Sequence, residues 1–230
     1  MAQVLVGWSP VPLAGRVVLD VGAGTGLAGR AARAAGGHVL AVDLVASMLR
    51  AAGAPGVVAD VRRLPVRTAA VGAVVAAFCL NHIDPPTIGF SEARRVTEPG
   101  GAVLASSYGT EITHPVRHAV DSALAAAGYR APAWYEAVKA GPMAALSTPE
   151  GMTSVARMAG LDAEVTDVVI AFPELDAADL VAWRLGMAHT APFVTGLTAP
   201  ARHAVTTQAL HALGTPPVLE RRIILLRATV

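Results

Sequence analysis

A single cysteine, Cys79, leaves no partner for an internal disulfide and suits a reducing compartment. Aromatic residues make up only 4% of the chain, so a core has to be built from aliphatic side chains, chiefly alanine and valine. No charge of one sign dominates. The formal net charge is +1 and the basic residues are scattered, which argues against nucleic acid as a partner. The longest apolar run, Ala69–Leu80, falls short of the roughly 20 residues that span a bilayer. The opening MAQVLVGWSPVP lacks both a positive start and a full apolar stretch, so it is a weak signal peptide. No repeat recurs at a fixed period. These absences lead us to expect a soluble, cytoplasmic protein, a monomer or homodimer, that engages neither membrane nor nucleic acid. Hydrophobic residues, by contrast, make up 53% of the chain, and 230 residues suit one domain with insertions.

Short apolar segments alternate with helical ones through the first half. Arg16–Val21, His38–Leu44, Gly56–Asp60, Val71–Leu80 and Gly101–Tyr108 read as strands. They are near-continuous apolar runs, as in a parallel sheet covered on both faces. Thr25–Gly36 and Val45–Gly53 read as helices stopped by glycine, and Pro86–Gly101 holds a helix ended by Pro99 and a glycine pair. The second half is less regular. Residues 111–145 are helical in character but are broken by Pro115, Pro132 and Pro142. A helix over Ser147–Gly160, a strand over Leu161–Pro173 and helices over 176–190 and 198–213 precede an apolar final strand, RRIILLRATV. The pattern predicts a doubly wound α/β fold with seven strands.

The first strand runs into Gly22-Ala23-Gly24-Thr25-Gly26. Glycines at the carboxyl end of such a strand let the backbone approach a ligand that side chains would exclude. A phosphate-cradling loop would need Gly-Lys-Ser/Thr, and Leu27 follows Gly26. A dinucleotide fingerprint would need G-x-G-x-x-G, and Leu27 stands where the third glycine belongs. What remains is G-x-G-x-G with an acid, Asp20, two residues before it. This resembles motif I of the class I S-adenosylmethionine-dependent methyltransferases, in particular the small-molecule branch.

The resemblance extends over about residues 16–108. Asp43 ends the second strand, where the family places the acid that grips both ribose hydroxyls, a task that suits a carboxylate's two acceptor oxygens. Asp60, in VVADVRRLP, resembles the acid beside the adenine that receives its exocyclic amine. AAFCLNHI resembles the fourth strand and its exit, and EARRVTEPGG the helix and turn before the fifth. The resemblance implies a Rossmann-like sheet in the order 3-2-1-4-5-7-6 with the last strand antiparallel. It also implies one domain over residues 1–230 with helical lid insertions at about 109–146 and 175–213. The implied cofactor is S-adenosylmethionine, with S-adenosylhomocysteine as product. The implied cofactor residues are Asp20, Gly22, Gly24, Gly26, Asp43, Leu44, Asp60, Val61 and Phe78. Each has a plainer reading: a tight turn for the glycines, a helix cap for Asp43, a solvated loop acid for Asp60. Cys79 reads as packing, half core and half cofactor wall together with Phe78.

His82 follows the fourth strand, where the family's active-site floor lies, and is a candidate general base. His189, in WRLGMAHTAPF, is a second candidate base within an apolar segment. Packing roles for both stay open. His114 and His118, four apart, would share a helix face, but no third metal ligand accompanies them, so no metal is expected. Asp84-Pro85-Pro86 lacks the following aromatic ring of the nucleobase and amide methylases and reads as a helix-starting turn. The insertions are rich in Ala, Val, Leu and Met. They point to a small, largely apolar metabolite as substrate, methylated at a heteroatom, with oxygen favoured, in natural-product biosynthesis. The alternative is a cyclisation or other rearrangement on the same fold without net methyl transfer.

Overall fold

The computed structural model describes all of residues 1–230. The chain opens with α1 (Ala2–Gly7), then alternates β1 (Val17–Val21), α2 (Leu27–Ala34), β2 (His38–Asp43), α3 (Ala46–Ala52) and β3 (Gly56–Val58). A single 3₁₀ turn, Val61–Arg63, stands where a helix would precede β4 (Val71–Ala77). A second such turn, Leu80–His82, leads to α4 (Pro86–Val96) and β5 (Thr97–Tyr108). There follow α5 (Pro115–Ala126), α6 (Ala133–Val138), α7 (Pro149–Met158), β6 (Ala163–Phe172), α8 (Ala177–Leu185), α9 (Ala191–Gly196), α10 (Ala199–Leu213) and β7 (Leu219–Thr229).

One sheet holds all seven strands in the order β3-β2-β1-β4-β5-β7-β6. The pairings from β3 through β5 are parallel, and β7 runs antiparallel to β5, with Ala102 opposite Thr229 and Tyr108 opposite Ile223. This is the doubly wound order that the sequence resemblance implies. Val18, Val74 and Val75 have no accessible surface. Neighbours in a strand face opposite ways, so full burial of Val74 and Val75 means that both faces of the sheet are covered.

The chain divides into two compact units. The first comprises Met1–Thr110, Val138–Val168 and Arg222–Val230. Its core is aliphatic around one ring, Phe90, packed with Leu19, Val74, Val103, Met152 and Ile224. The second comprises Glu111–Ala137 and Val169–Arg221, where α5, α8 and α10 bury Val120, Leu124, Leu180, Val205 and Leu213 against one another. His114 caps α5: its Nδ1 accepts the Val116 N–H at 3.2 Å and its Nε2 donates to the Pro217 carbonyl at 3.0 Å. Both ring nitrogens are thus committed, and no group of three or more His, Cys, Asp or Glu is placed to hold a metal ion. No helix is long and apolar enough to cross a membrane.

Elements that differ from the sequence reading include α9, which falls outside every helix read there, β4, which ends at Ala77, and β5 and α1. β5 begins at Thr97 rather than Gly101, because Thr97 pairs with Val71 across an irregularity before the regular register resumes at Ala73 and Ala102. The Pro-Gly-Gly content hides that pairing from any local pattern. α1 carries neither a side-chain cap nor a charge in its end turns, and what fixes it is burial of Leu5 and Val6.

Candidate functional site

Parallel strands bring the residues that follow β1, β2, β3 and β4 to one edge of the sheet, and the strand order reverses between β1 and β4. That reversal is where open α/β sheets bind ligands. A cavity of about 230 Å³ lies there. Gly22, Asp43, Asp60 and His82 contribute its polar and backbone surface, and Val42, Leu44, Ala59, Val61, Phe78, Cys79 and Ile83 the remainder.

The glycines do three different things. At Gly22 (φ +65°) a Cβ would stand 2.3 Å from Cys79 Sγ, so this glycine lets the exit of β4 close against the first turn. At Gly26 (φ +82°) a Cβ would stand 2.7 Å from the Ala52 carbonyl, so this one lets α2 start against the end of α3. Gly24 (φ +52°) faces open space. Asp43 spans the loop: Oδ2 accepts the Gly24 N–H and Oδ1 the Val45 N–H, both at 2.8 Å. It therefore braces the turn into α3, and it stays partly exposed where it lines the cavity. Asp60 starts the 3₁₀ turn by accepting the Arg62 N–H, and the Arg62 guanidinium grips both carboxylate oxygens, at 2.6 Å for the shortest contact. The Arg62 hydrogen bonds hold the Asp60 carboxyl below the usual carboxylate range.

Phe78, a non-glycine residue at φ +55°, forms the turn out of β4. Such a conformation costs of order 1–3 kcal/mol and persists where the surroundings over-determine it. Here the Phe78 N–H donates to the Ser106 carbonyl, and the ring lies 4.6 Å from that of Tyr108. Cys79 is crowded by protein and by the charges of Asp43, Asp20 and Asp60. Burial chiefly pushes its pKa up to about 12, so it stays a thiol. His82 is exposed by area but sits in the concave wall, where neighbouring atoms displace water from the ring and lower its pKa. Asn81 Oδ1 and Ser106 Oγ are buried without a hydrogen-bond partner.

The structure thus brings Gly22, Asp43, Leu44, Asp60, Val61, Phe78 and His82 to one cavity. Asp20, Gly24 and Gly26 do not line it. Asp20 is buried behind the loop, where its Oδ2 accepts the Gly29 N–H at 2.8 Å. His189 belongs to the second unit. There it stacks on Tyr135 with ring centroids 3.7 Å apart, and its carbonyl accepts the Tyr129 hydroxyl. The sequence reading missed Val42, Ala59 and Ile83 as cavity wall. The strands are apolar without alternation, so no periodicity marks Val42 or Ala59 as facing the cavity. Arg62 on Asp60 is a contact only two residues apart, which the Asp-x-Arg spacing could have suggested.

Asp20 carries a prediction of its own. Burial raises its pKa from 3.8 to about 6, so between those pH values the folded chain holds a proton that the unfolded chain has lost. Stability therefore falls as pH rises from about 4 to 6 and is level above that. Asp20→Asn keeps an acceptor for Gly29 and cannot ionise. Relative to wild type it should gain about 1–3 kcal/mol in urea denaturation at pH 8 compared with pH 4. Equal differences at the two pH values would mean that Asp20 is not protonated by the fold.

Comparison with known proteins agrees with this geometry. Residues 19–105 match the family described as a methyltransferase domain. A demethylmenaquinone methyltransferase of Clavibacter sepedonicus is 36% identical over 118 residues, which is 48% of either chain. The chain spans about half the length of the curated relatives it matches. Among solved structures, a phosphoethanolamine N-methyltransferase 2 of Haemonchus contortus, in complex with S-adenosyl-L-methionine, superposes with a TM-score of 0.60 at 19% identity, over 99% of this chain and 51% of that one. The [4+2]-cyclase SpnF superposes with a TM-score of 0.58 at 21% identity, over 99% and 80% respectively. Residues 19–105, running from β1 into β5 of a sheet ordered 3-2-1-4-5-7-6, thus match a methyltransferase domain.

Proposed function

We propose that the protein transfers a methyl group from S-adenosylmethionine to a heteroatom, with oxygen favoured, of a small and largely apolar metabolite in a natural-product pathway. The observation that carries this reading is the cavity holding Asp43 and Asp60 at adjacent strand ends, with His82 in the same wall. The residues fit the cofactor. Asp43 keeps lone pairs for a ribose diol beyond those used by Gly24 and Val45. Val42, Ala59, Val61 and Ile83 give an apolar wall of the kind that takes an adenine ring. The open space at Gly24 leaves room at the first turn for a ligand to approach the backbone. Asp60 would share its carboxylate between Arg62 and the adenine amine. The pair is solvent-exposed, and such pairs are worth little, so this rearrangement costs little.

When bound, S-adenosylmethionine supplies an electrophilic methyl on a sulfonium. The chain's own task is then to hold the acceptor in line, exclude water and, for a neutral hydroxyl, accept a proton. His82 is the group in the cavity suited to that last step. Burial lowers its pKa and favours the neutral imidazole that can accept a proton.

Incubation with S-adenosylmethionine and a panel of small hydroxylated molecules, read by product mass, tests the reading. A gain of one methylene supports it. An isomer of the substrate with no added methyl would favour the rearrangement reading, for which the likeness in fold to the cyclase is the support. Asp43→Ala should weaken S-adenosylmethionine and S-adenosylhomocysteine binding in isothermal titration by roughly 1–3 kcal/mol, through ribose hydroxyls left unpaired. Unchanged affinity would reduce Asp43 to a brace for the loop. Binding of NAD in place of S-adenosylmethionine would defeat the cofactor assignment.

A further inference from the structure

The two carboxylates in the cavity wall differ in how far their acceptor sites are filled. Each oxygen of Asp43 accepts one backbone N–H, Oδ2 from Gly24 and Oδ1 from Val45, both at 2.8 Å. A carboxylate offers about four lone-pair sites, so about half of those on Asp43 stay free. On Asp60 they are all engaged. Oδ1 accepts the Arg62 backbone N–H at 2.9 Å and Arg62 Nε at 3.1 Å. Oδ2 accepts Nε at 2.9 Å and Nη2 at 2.6 Å. Every one of these donors belongs to Arg62.

The guanidinium has no other tie. Arg62 is exposed, and its side chain donates to no residue but Asp60. The backbone contact is separate: the Arg62 N–H caps the 3₁₀ turn whatever side chain follows it. The turn therefore needs the carboxylate and not the guanidinium. An exposed ion pair between neighbours also contributes little to stability. What the guanidinium does do is fill the acceptor sites of a carboxylate that lines the cavity.

We propose that Arg62 is a latch on the cofactor cavity, its guanidinium competing with the purine amine for the Asp60 carboxylate and turning into solvent to let that amine bind. This rests on the reading that Asp60 receives the adenine amine. The ribose end at Asp43 needs no such exchange. At Asp60 a neutral N–H has to replace charge-assisted ones, which are the stronger kind. The released guanidinium regains water, so the latch lowers affinity without forbidding binding. It also acts on one group alone. A purine with a carbonyl in place of the amine brings no donor to Asp60 and has nothing to gain from the guanidinium's departure.

Isothermal titration of the full chain with S-adenosylhomocysteine and with S-inosylhomocysteine, in which a carbonyl replaces the purine amine, tests this. Arg62→Ala keeps the backbone cap and should bind S-adenosylhomocysteine about two- to fivefold tighter than wild type, the worth of an exposed ion pair. Arg62→Lys keeps the charge but not the fork that bridges both oxygens, and should fall between the two. Arg63→Ala removes the same charge from the next residue, which makes no hydrogen bond to Asp60, and should change nothing. At about 1 M salt, where screening acts within about 3 Å, wild type and Arg62→Ala should converge. S-inosylhomocysteine should bind the Arg62→Ala chain no tighter than wild type. Circular dichroism checks that each variant folds. If Arg62→Ala and Arg62→Lys bind S-adenosylhomocysteine no tighter than wild type, the latch is overturned and the cofactor assignment survives. Equal gains for both ligands, or an equal gain in Arg63→Ala, overturn it too, since the effect would then be one of general charge. If neither wild type nor any variant binds S-adenosylhomocysteine, the cofactor assignment itself falls and takes the latch with it.

Discussion

Replacing His82 with alanine is expected to lower turnover at saturating cofactor by about 10²- to 10⁴-fold, the usual contribution of a positioned general base. Cofactor affinity should hold, since the ribose and adenine contacts assigned to Asp43 and Asp60 do not pass through the imidazole. The pH profile provides an independent check. Burial lowers the His82 pKa below 6.5, so the neutral form persists into mildly acidic solution. The acid limb of the wild-type rate should therefore fall below pH 6.5 and vanish in the alanine variant. A His82→Ala enzyme with wild-type turnover would leave catalysis to positioning alone, as an acidic phenol or a preactivated carbon would allow.

Gly26→Ala should cost about 2–5 kcal/mol of stability. Two effects combine. An alanine at φ +82° pays the left-handed penalty of about 1–2 kcal/mol. Its Cβ would also stand 2.7 Å from the Ala52 carbonyl and 2.8 Å from the Ala52 Cα, and backbone cannot turn aside as a flexible side chain can. Overpacking of that kind adds typically about 1–3 kcal/mol. Gly24→Ala is the control. It shares the positive φ and meets nothing within 4 Å, so urea denaturation should register only the conformational term. If the open space at Gly24 is where the cofactor approaches the backbone, Gly24→Ala should lose cofactor affinity beyond its loss of stability. Equal stability losses at the two glycines would show that α3 shifts to accommodate Ala52, and that the close approach is not rigid.

Much of the site was legible because it is local. A strand's end and the turn after it are adjacent in the chain. The motif from Asp20 to Gly26, the acids Asp43 and Asp60 and the exit at Phe78 could therefore each be placed before any tertiary contact was known. Parallel pairing then needed only to align β1 to β4 to bring four of these segments to one edge. The order of strands came from family resemblance and not from periodicity, because an apolar run does not say which neighbour it pairs with.

By itself the sequence determined the alternation of strand and helix, the glycine turn and the acids at strand ends, because each depends on residues within a few positions of one another. Only the tertiary structure decided what those residues meet. It set Cys79 under Gly22 and turned Asp20 into a buried clamp on Gly29. It split the two candidate histidines, His82 into the cavity of the first unit and His189 onto Tyr135 in the second. These are contacts of side-chain geometry or of long sequence separation, 54 positions between Tyr135 and His189, and no local pattern encodes which distant ring a histidine will stack on.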